Sequence, residues 1–194
     1  MTNTSSEHFY TPRDSEALWA PPDIDKLISN LAEQVLSDYS ANRIPTLVSV
    51  IPEALYLSAD LARRLGSYIG PELEFMEFTN RHVSGSTSTA SEFRTSGWTS
   101  ASSLEGRHAL FVYTRTQRGA SALHLERKAK AMGAASIATL TLIDQPIRGS
   151  RATDPTYTGT VLELPHEQLF GYGIKRKRDG YPQDSNLNTI YAER

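Results

Sequence analysis

The sequence contains no cysteine, has little net charge and has no hydrophobic run long enough to cross a membrane. Without cysteine there is no disulfide framework and no thiolate metal site. A formal net charge of −2 over 194 residues gives no general attraction for nucleic acid or membrane, so an anion site would have to be local. The first residues lack the apolar segment of a signal peptide. These absences predict a cytoplasmic globular protein with no membrane partner.

The remaining composition is that of an ordinary globular domain. Hydrophobic residues make up 39% of the chain and charged residues 22%, and the length suits one domain with a full core. Residues 1–22 are polar and rich in Ser, Thr and Pro, which predicts a loosely held N-terminal arm. Asp23 is the predicted cap of the first helix. Residues 23–194 are therefore predicted to form the single domain.

Alternating apolar strands and amphipathic helices predict an α/β fold. Strand-like runs occur at residues 46–51, 74–79, 108–114, 136–143 and 156–164. Helical spacing of apolar residues follows Asp23 and recurs over residues 53–65 and 120–132. A strand–helix–strand unit pairs its strands in parallel, so we expect a mostly parallel central sheet flanked by helices. Residues 80–103 are dominated by Ser, Thr and Gly, which predicts a long mobile loop or β-flap.

The turn between the strand at residues 108–114 and the following helix is the predicted ligand site. In α/β proteins, ligands bind outside the carboxyl ends of the strands, and a helix N-terminus attracts anions. Two of the residues in this turn are arginines, which can bind phosphate by paired hydrogen bonds. The predicted ligand-binding residues are Thr114, Arg115, Thr116, Gln117, Arg118, Gly119, Ala120 and Ser121.

From residue 24 to residue 191, the order and spacing of several segments resemble the purine phosphoribosyltransferases of the hypoxanthine-guanine type. The segments include Pro45-Thr46-Leu47-Val48 before a helix, Leu104-Glu105-Gly106-Arg107-His108 before the central strand, Asp154-Pro155-Thr156-Tyr157, and Phe170-Gly171-Tyr172-Gly173. The resemblance implies a type I phosphoribosyltransferase fold. It also implies a homo-oligomer, dimer or tetramer, and a reaction that joins a purine to phosphoribosyl pyrophosphate (PRPP) with Mg²⁺.

The resemblance further implies which positions carry the family's chemistry, and in this chain those positions lack acids. The family's acid pair falls on Tyr113 and Thr114, its general base on Gln117, its purine-reading lysine on Gln145, its late metal-binding aspartate on Lys175, and its Lys-Gly pair near Pro52-Glu53. Phe170 lies about where the family stacks a ring on the base. Gly119 and Ser121 are retained.

These substitutions predict a protein without a cofactor. Gln and Thr side chains do not titrate near neutral pH and cannot act as general bases. Mg²⁺ prefers carboxylate ligands, which the matching positions lack. Arg115 and Arg118 are the predicted replacements for the metal's charge. Our hypothesis is a metal-independent binder of a nucleotide or another phosphorylated small molecule, without standard transferase activity.

Structural alternatives remain for the same residues. Gly119 and Ser121 also fit an ordinary strand-to-helix turn. Arg115 and Arg118 also fit surface charges paired with acids such as Glu126. Phe170 also fits a core aromatic residue.

Three functional alternatives also remain. The first is an active enzyme that transfers or hydrolyses a glycosyl or phosphoryl group, with arginine in place of metal. The second is a nucleic-acid-binding regulator that uses Arg148, Arg151 and the basic run at residues 175–178. The third is a protein that only assembles with itself and whose site is vestigial.

Overall fold

The computed structural model describes residues 12, 15–82, 91–96, 104–147, 149, 151–164, 168–176 and 182–193. The strands in this part of the chain are β1 (Ser15–Trp19), β2 (Pro45–Ile51), β3 (Glu72–His82), β4 (Ser91–Ser96), β5 (His108–Thr116), β6 (Ser136–Asp144), β7 (Tyr157–Val161), β8 (Leu169–Phe170) and β9 (Ile190–Glu193). The α-helices are α1 (Pro21–Asp38), α2 (Leu55–Gly66) and α3 (Ala120–Ala131), and Pro182–Asn186 forms a short 3₁₀ helix.

Six of these strands form the main sheet, in the order β4-β3-β2-β5-β6-β7. Five strands run parallel to one another, namely β3, β2, β5, β6 and β7, and β4 is antiparallel to β3. This arrangement confirms the predicted α/β fold with a mostly parallel sheet flanked by helices. Strand β4 and the last three residues of β3, 80–82, lie within the predicted flap. Residues 83–90 and 97–103, the rest of that segment, lie outside the described residues.

The side chains of β5 alternate between two hydrophobic clusters, one on each face of the sheet. Leu110 and Val112 pack into the cluster that contains the buried side chains of α1 and α2. Phe111 and Tyr113 pack into the cluster that contains the buried side chains of α3.

The central strand is longer than predicted, and this changes the location of the ligand-site residues. Pairing between β5 and β6 continues to Arg115, opposite Ile143, and to Thr116, opposite Asp144. Thr114, Arg115 and Thr116 are therefore strand residues and not turn residues. The apolar pattern ends at Val112, so hydropathy alone placed the strand's end too early.

The N-terminal region also differs from the prediction. Residues 15–19 are strand β1, which pairs with β9, and α1 begins at Pro21. The predicted arm of residues 1–22 thus includes a strand and the start of a helix; residues 1–11 lie outside the described residues. Asp23 is not the helix cap but a first-turn residue, and its carboxylate accepts a hydrogen bond from the Ala20 amide at 3.0 Å.

A second, three-stranded sheet has the order β1-β9-β8. Strand β9 was not among the predicted strands, and only two of its residues, Ile190 and Ala192, are both apolar and buried. Both residues pack into the α1–α2 cluster. Within the described part of the chain, no helix is long and apolar enough to cross a membrane.

Candidate functional site

The turn at the carboxyl end of β5 is a tight one, formed by Gln117, Arg118 and Gly119 before α3 begins at Ala120. Gly119 has a φ of 69°, in the left-handed region that favours glycine. A Cβ atom at this position would also clash with the backbone carbonyl of Thr153. Glycine is therefore required by the backbone conformation and by the close approach of a second loop.

That second loop, residues 151–154, is fastened to the turn. The Ala152 amide donates a hydrogen bond to the Arg118 carbonyl at 2.8 Å. Arg151 Nη2 contacts both carboxylate oxygens of Asp144, at 3.0 and 2.9 Å, and its Nε lies against Asp154. We did not predict this role for Asp144. The only signal was that Asp144 ends a buried strand opposite Thr116, and that pairing could not be foreseen because β5 was predicted to end at residue 114.

Two of the predicted ligand-binding hydroxyls are already used within the protein. Thr114 is 1% exposed, and its hydroxyl donates to the Glu53 carbonyl at 2.7 Å. Thr116 is also buried, and its hydroxyl donates to Asp144 Oδ1 at 3.0 Å. Both threonine hydroxyls therefore form hydrogen bonds within the protein, and a ligand would have to be bound by other side chains.

Arg115 is half-buried and has no hydrogen bond or ion pair within the described part of the chain. Burial lowers the pKa of Arg115, and the nearby negative charge of Glu53 opposes that shift. Arg118 is exposed and also has no carboxylate partner among the described residues. Neither arginine therefore forms an ion pair with Glu126 or with another acid in the described part of the chain.

Tyr113, at the first position of the implied acid pair, packs beneath α3. Its hydroxyl is buried and has no hydrogen-bond partner among the described residues. Burial raises the pKa of Tyr113, and the charge of Glu126 on α3 adds to this effect. A neutral phenol in this position cannot replace a carboxylate.

The N-terminus of α3 presents backbone N–H groups at the end of the turn. Gly119 is its N-cap and provides no side-chain hydrogen bond, and no acidic residue lies in the first turn. The first amides of a helix have no acceptor within the helix, and the helix dipole is positive at this end. The region around Ala120 and Ser121 therefore favours an anion.

The predicted base-side residues do not form one surface. Gln117 and Gln145 do meet: Gln117 Nε2 donates to Gln145 Oε1 at 2.9 Å. Gln145 is fully buried. Phe170 is also fully buried, in the second sheet, where its ring stacks on Tyr191. Lys175 is exposed.

The chain is similar in sequence to several known enzymes. It is 26% identical over 157 residues to the hypoxanthine-guanine phosphoribosyltransferase of Streptococcus pneumoniae, covering 81% of this chain and 83% of that enzyme. The Streptococcus thermophilus enzyme of the same name is 27% identical with the same coverage. The hypoxanthine-guanine-xanthine phosphoribosyltransferase of Tritrichomonas foetus is 26% identical over 160 residues, 81% of each chain. No protein-family model matches the chain.

Solved structures agree with these sequence relatives. The hypoxanthine phosphoribosyltransferase of Trypanosoma cruzi in complex with the product IMP superposes with a TM-score of 0.76 at 20% identity, over 95% of this chain and 94% of that one. The Staphylococcus aureus enzyme gives a TM-score of 0.77 at 20% identity, over 93% and 92%. In sequence and in fold, the chain is similar to the purine phosphoribosyltransferases. Its fold is the type I phosphoribosyltransferase fold.

Among the described residues, the positions at which the resemblance implies Mg²⁺ ligands carry no carboxylates. Among the described residues, no group of three or more His, Asp or Glu side chains is placed to hold a metal ion. The implied acid pair is Tyr113 and Thr114, and the late aspartate is Lys175. The carboxylate of Asp144 is held by Arg151 and Thr116. A divalent cation would therefore lack the carboxylate ligands that it prefers.

Two arginines of the nucleic-acid alternative already contact carboxylates of the protein. Arg151 is paired with Asp144 and Asp154, and Arg176 with Asp184 and Glu193. Arg148 and residues 177–178 lie outside the described residues. Side chains that already hold carboxylates cannot also track a phosphate backbone, so the described residues do not support this alternative.

Proposed function

We propose that this protein binds a phosphorylated ligand at the N-terminus of α3, with Arg115 providing the positive charge that Mg²⁺ provides elsewhere. The observation that carries the proposal is the half-buried guanidinium of Arg115, which has no hydrogen bond or ion pair in the described chain. A cation that is partly removed from water and has no ion-pair partner is unfavourable, and a bound anion would neutralise it.

The surroundings of Arg115 support a phosphate group. The N-terminus of α3 has neither a side-chain cap nor an acidic first turn, so its amides and its dipole favour an anion. Arg118 adds an exposed positive charge to the same turn. A guanidinium can donate two parallel hydrogen bonds to phosphate oxygens, each stronger than a neutral hydrogen bond.

The relatives support the ligand class. The sequence relatives are hypoxanthine-guanine phosphoribosyltransferases, and the Trypanosoma cruzi structure contains IMP, a nucleoside monophosphate. A nucleotide or a related sugar phosphate is therefore the ligand class that we propose. A further Trypanosoma cruzi study concerns the role of the C-terminal region in that enzyme's oligomeric state, which supports a homo-oligomer here.

Standard transfer from PRPP is not part of the proposed function. The position implied for the general base is Gln117, whose amide is neutral and is bonded to Gln145. An amide oxygen does not accept a proton near neutral pH. The implied metal positions carry a phenol, a hydroxyl and an amine, so the charge of pyrophosphate would not be neutralised as Mg²⁺ neutralises it.

Calorimetric titration tests the proposal directly. PRPP, GMP, IMP, pyrophosphate and guanine are titrated into the protein in EDTA and, separately, in Mg²⁺. We expect phosphorylated ligands to bind equally in both buffers and guanine not to bind. Replacing Arg115 by Leu should weaken phosphate binding at least tenfold, which corresponds to about 1.4 kcal/mol.

Arg127 provides the matched control. It is an exposed arginine on α3, beyond the first turn, so Arg127→Leu removes the same charge without touching the site. Binding of PRPP only in Mg²⁺ would contradict the proposal and indicate an active transferase. Product formation from a nucleotide in EDTA, lost in Arg115→Leu, would instead favour an enzyme with arginine in place of metal.

A further inference from the structure

The polar side chains on the β6 side of the turn are bonded to one another in a continuous chain. Gln117 Nε2 donates to Gln145 Oε1 at 2.9 Å, and Gln145 Nε2 donates to the carbonyl of Leu164 at 2.6 Å. Gln145 has no exposed surface. The Gln117–Gln145 pair therefore links β5, β6 and the segment after β7, and Gln145 is turned away from solvent.

The orientation of both amides follows from this chain. A carbonyl oxygen can only accept, so Gln145 must direct its NH₂ group to Leu164 and its oxygen to Gln117. Gln117 must then direct its own NH₂ group to Gln145. Its Oε1 is the atom left to face a ligand, and this atom is an uncharged acceptor.

A second set of bonds occupies the rest of this side. Asp144 accepts from Thr116 at 3.0 Å and from Arg151 at 2.9 Å. Arg151 also lies against Asp154, in the loop that is fastened to the turn. The charges of Asp144 and Arg151 are therefore neutralised by each other, whereas Arg115 makes no hydrogen bond or ion pair in the described chain and has only the charge of Glu53 nearby.

The aromatic ring expected near the base does not offer a face to a ligand. Phe170 is 0% exposed; its ring stacks on Tyr191 with centroids 5.3 Å apart, and the Arg176 guanidinium lies over it at 4.7 Å. Recognition of a heterocycle usually combines a flat apolar surface with donors and acceptors aimed at its edge. The described residues on this side provide one free amide oxygen.

We propose that the site takes a phosphorylated ligand without a heterocyclic base, of the sugar-phosphate class. This inference rests on the proposed function and narrows it. The phosphate is bound by Arg115 and the N-terminus of α3, and the Gln145 side chain, at the position implied to read a purine, is engaged by Gln117 and Leu164. Gln117 is then a specificity-determining residue of the site.

The test compares ribose 5-phosphate, IMP and inosine by calorimetric titration in EDTA. We expect ribose 5-phosphate to bind within threefold of IMP, because the base adds no contact, and inosine not to bind. IMP binding ten times tighter than ribose 5-phosphate would overturn the inference and leave the proposed function intact. Failure of both phosphorylated compounds to bind would overturn the proposed function and this inference together.

Gln117→Ala tests the role of the amide pair. Removing the Gln117 amide releases Gln145 from its partner and opens the turn, so we expect the IMP to ribose 5-phosphate affinity ratio to rise at least fivefold. Gln34→Ala is the matched control, because Gln34 also donates to a strand carbonyl, that of Thr158, at 3.2 Å. An unchanged ratio in Gln117→Ala, or an equal change in both variants, would contradict the assignment.

Discussion

The end of β5 with its turn and the C-terminal segment both contain arginines, but these arginines differ in whether they form ion pairs. In the C-terminal segment, Arg176 is 9% exposed and contacts Asp184 at 3.2 Å and Glu193 at 3.1 Å. In the turn region, Arg115 is half-buried with no ion pair in the described chain. The first region pairs its buried arginine with carboxylates, and in the second we propose that a ligand provides the partner.

This difference shows that a basic residue's role depends on its partners. The local sequence around Arg176 is more basic than that around Arg115, and it therefore attracted the nucleic-acid interpretation. The carboxylates that pair with Arg176 lie 8 and 17 residues further along the chain. A buried arginine that lacks such partners is the stronger candidate for anion binding.

The largest expected effect is the loss of stability in Arg176→Met. The Asp184 carboxylate is fully buried and one of its oxygens, Oδ1, already has no partner in the described chain, so the variant would leave this charge unpaired. Breaking a buried ion pair from one side costs about 3–5 kcal/mol. Urea unfolding measures the change. A loss below 1 kcal/mol would show that the C-terminal cluster does not stabilise the fold.

Gly119→Ala and Gly171→Ala test the two regions with the same change. Each glycine has a positive φ, and a Cβ at either position would clash with a backbone carbonyl, that of Thr153 or Thr189. Strain and overpacking together should cost about 2–4 kcal/mol in each variant. We expect only Gly119→Ala also to weaken phosphate binding in the folded protein, measured by calorimetric titration.

Gly106→Ala is the control for backbone strain alone. Gly106 has a φ of 70° and nothing within 4 Å of an added Cβ. Gly106→Ala should therefore lower the free energy of unfolding by less than Gly119→Ala does. Equal loss of phosphate affinity in Gly119→Ala and Gly171→Ala would remove the distinction between the two regions.

Arg115→Leu should change stability in the opposite direction from Arg176→Met. Removing a half-buried charge without an ion pair relieves a desolvation penalty, so we expect the free energy of unfolding to stay the same or rise by up to about 1 kcal/mol. Phosphate affinity should fall at the same time. Urea unfolding and titration of one preparation measure both. A destabilisation above 2 kcal/mol would indicate that Arg115 is a structural residue.

The smallest expected effect is the change that Glu126→Gln, on helix α3, makes to the pH dependence of the free energy of unfolding. Burial raises the pKa of Glu126, so its contribution to stability is fully present below its ordinary pKa of about 4.3 and is lost as pH rises through the raised value. Gln stays neutral throughout, so the variant should gain stability relative to wild type between pH 4 and pH 7.

Solvent screening limits the Glu126→Gln effect to less than about 0.5 kcal/mol. Thermal unfolding of both proteins at the two pH values measures it. A relative gain on lowering the pH would have the wrong sign and would show that Glu126 is stabilised as a charged group.

Much of the fold could be predicted because its signals are local. The apolar strands and the helical spacing gave the parallel sheet, and Gly119 gave the start of α3. The end of β5 could not be predicted, because Arg115 and Thr116 extend the strand only through pairing with Ile143 and Asp144 on β6. β9 was missed for the same reason: it is a short strand whose pairing partners are distant in sequence.

The sequence could predict the turn after β5, but not the contacts that its side chains make. The turn, its glycine and the absence of acids could be found from residue types alone. The pairing of Gln117 with Gln145, 28 residues away, and the capture of Asp144 by Arg151 depend on which strand ends meet. Phe170 is a core residue because β8 joins the second sheet, whereas its sequence neighbourhood fitted a ligand-stacking role equally well.

The sequence by itself determined the α/β class, the family resemblance and the chemical fact that the turn carries arginines and amides where carboxylates are expected. These are properties of residue type and spacing. Only the tertiary structure decided which of those groups are free. Within the described residues, Arg115 makes no ion pair while Arg151 and Arg176 contact carboxylates. These contacts form between strand ends and loops that the chain brings together only on folding.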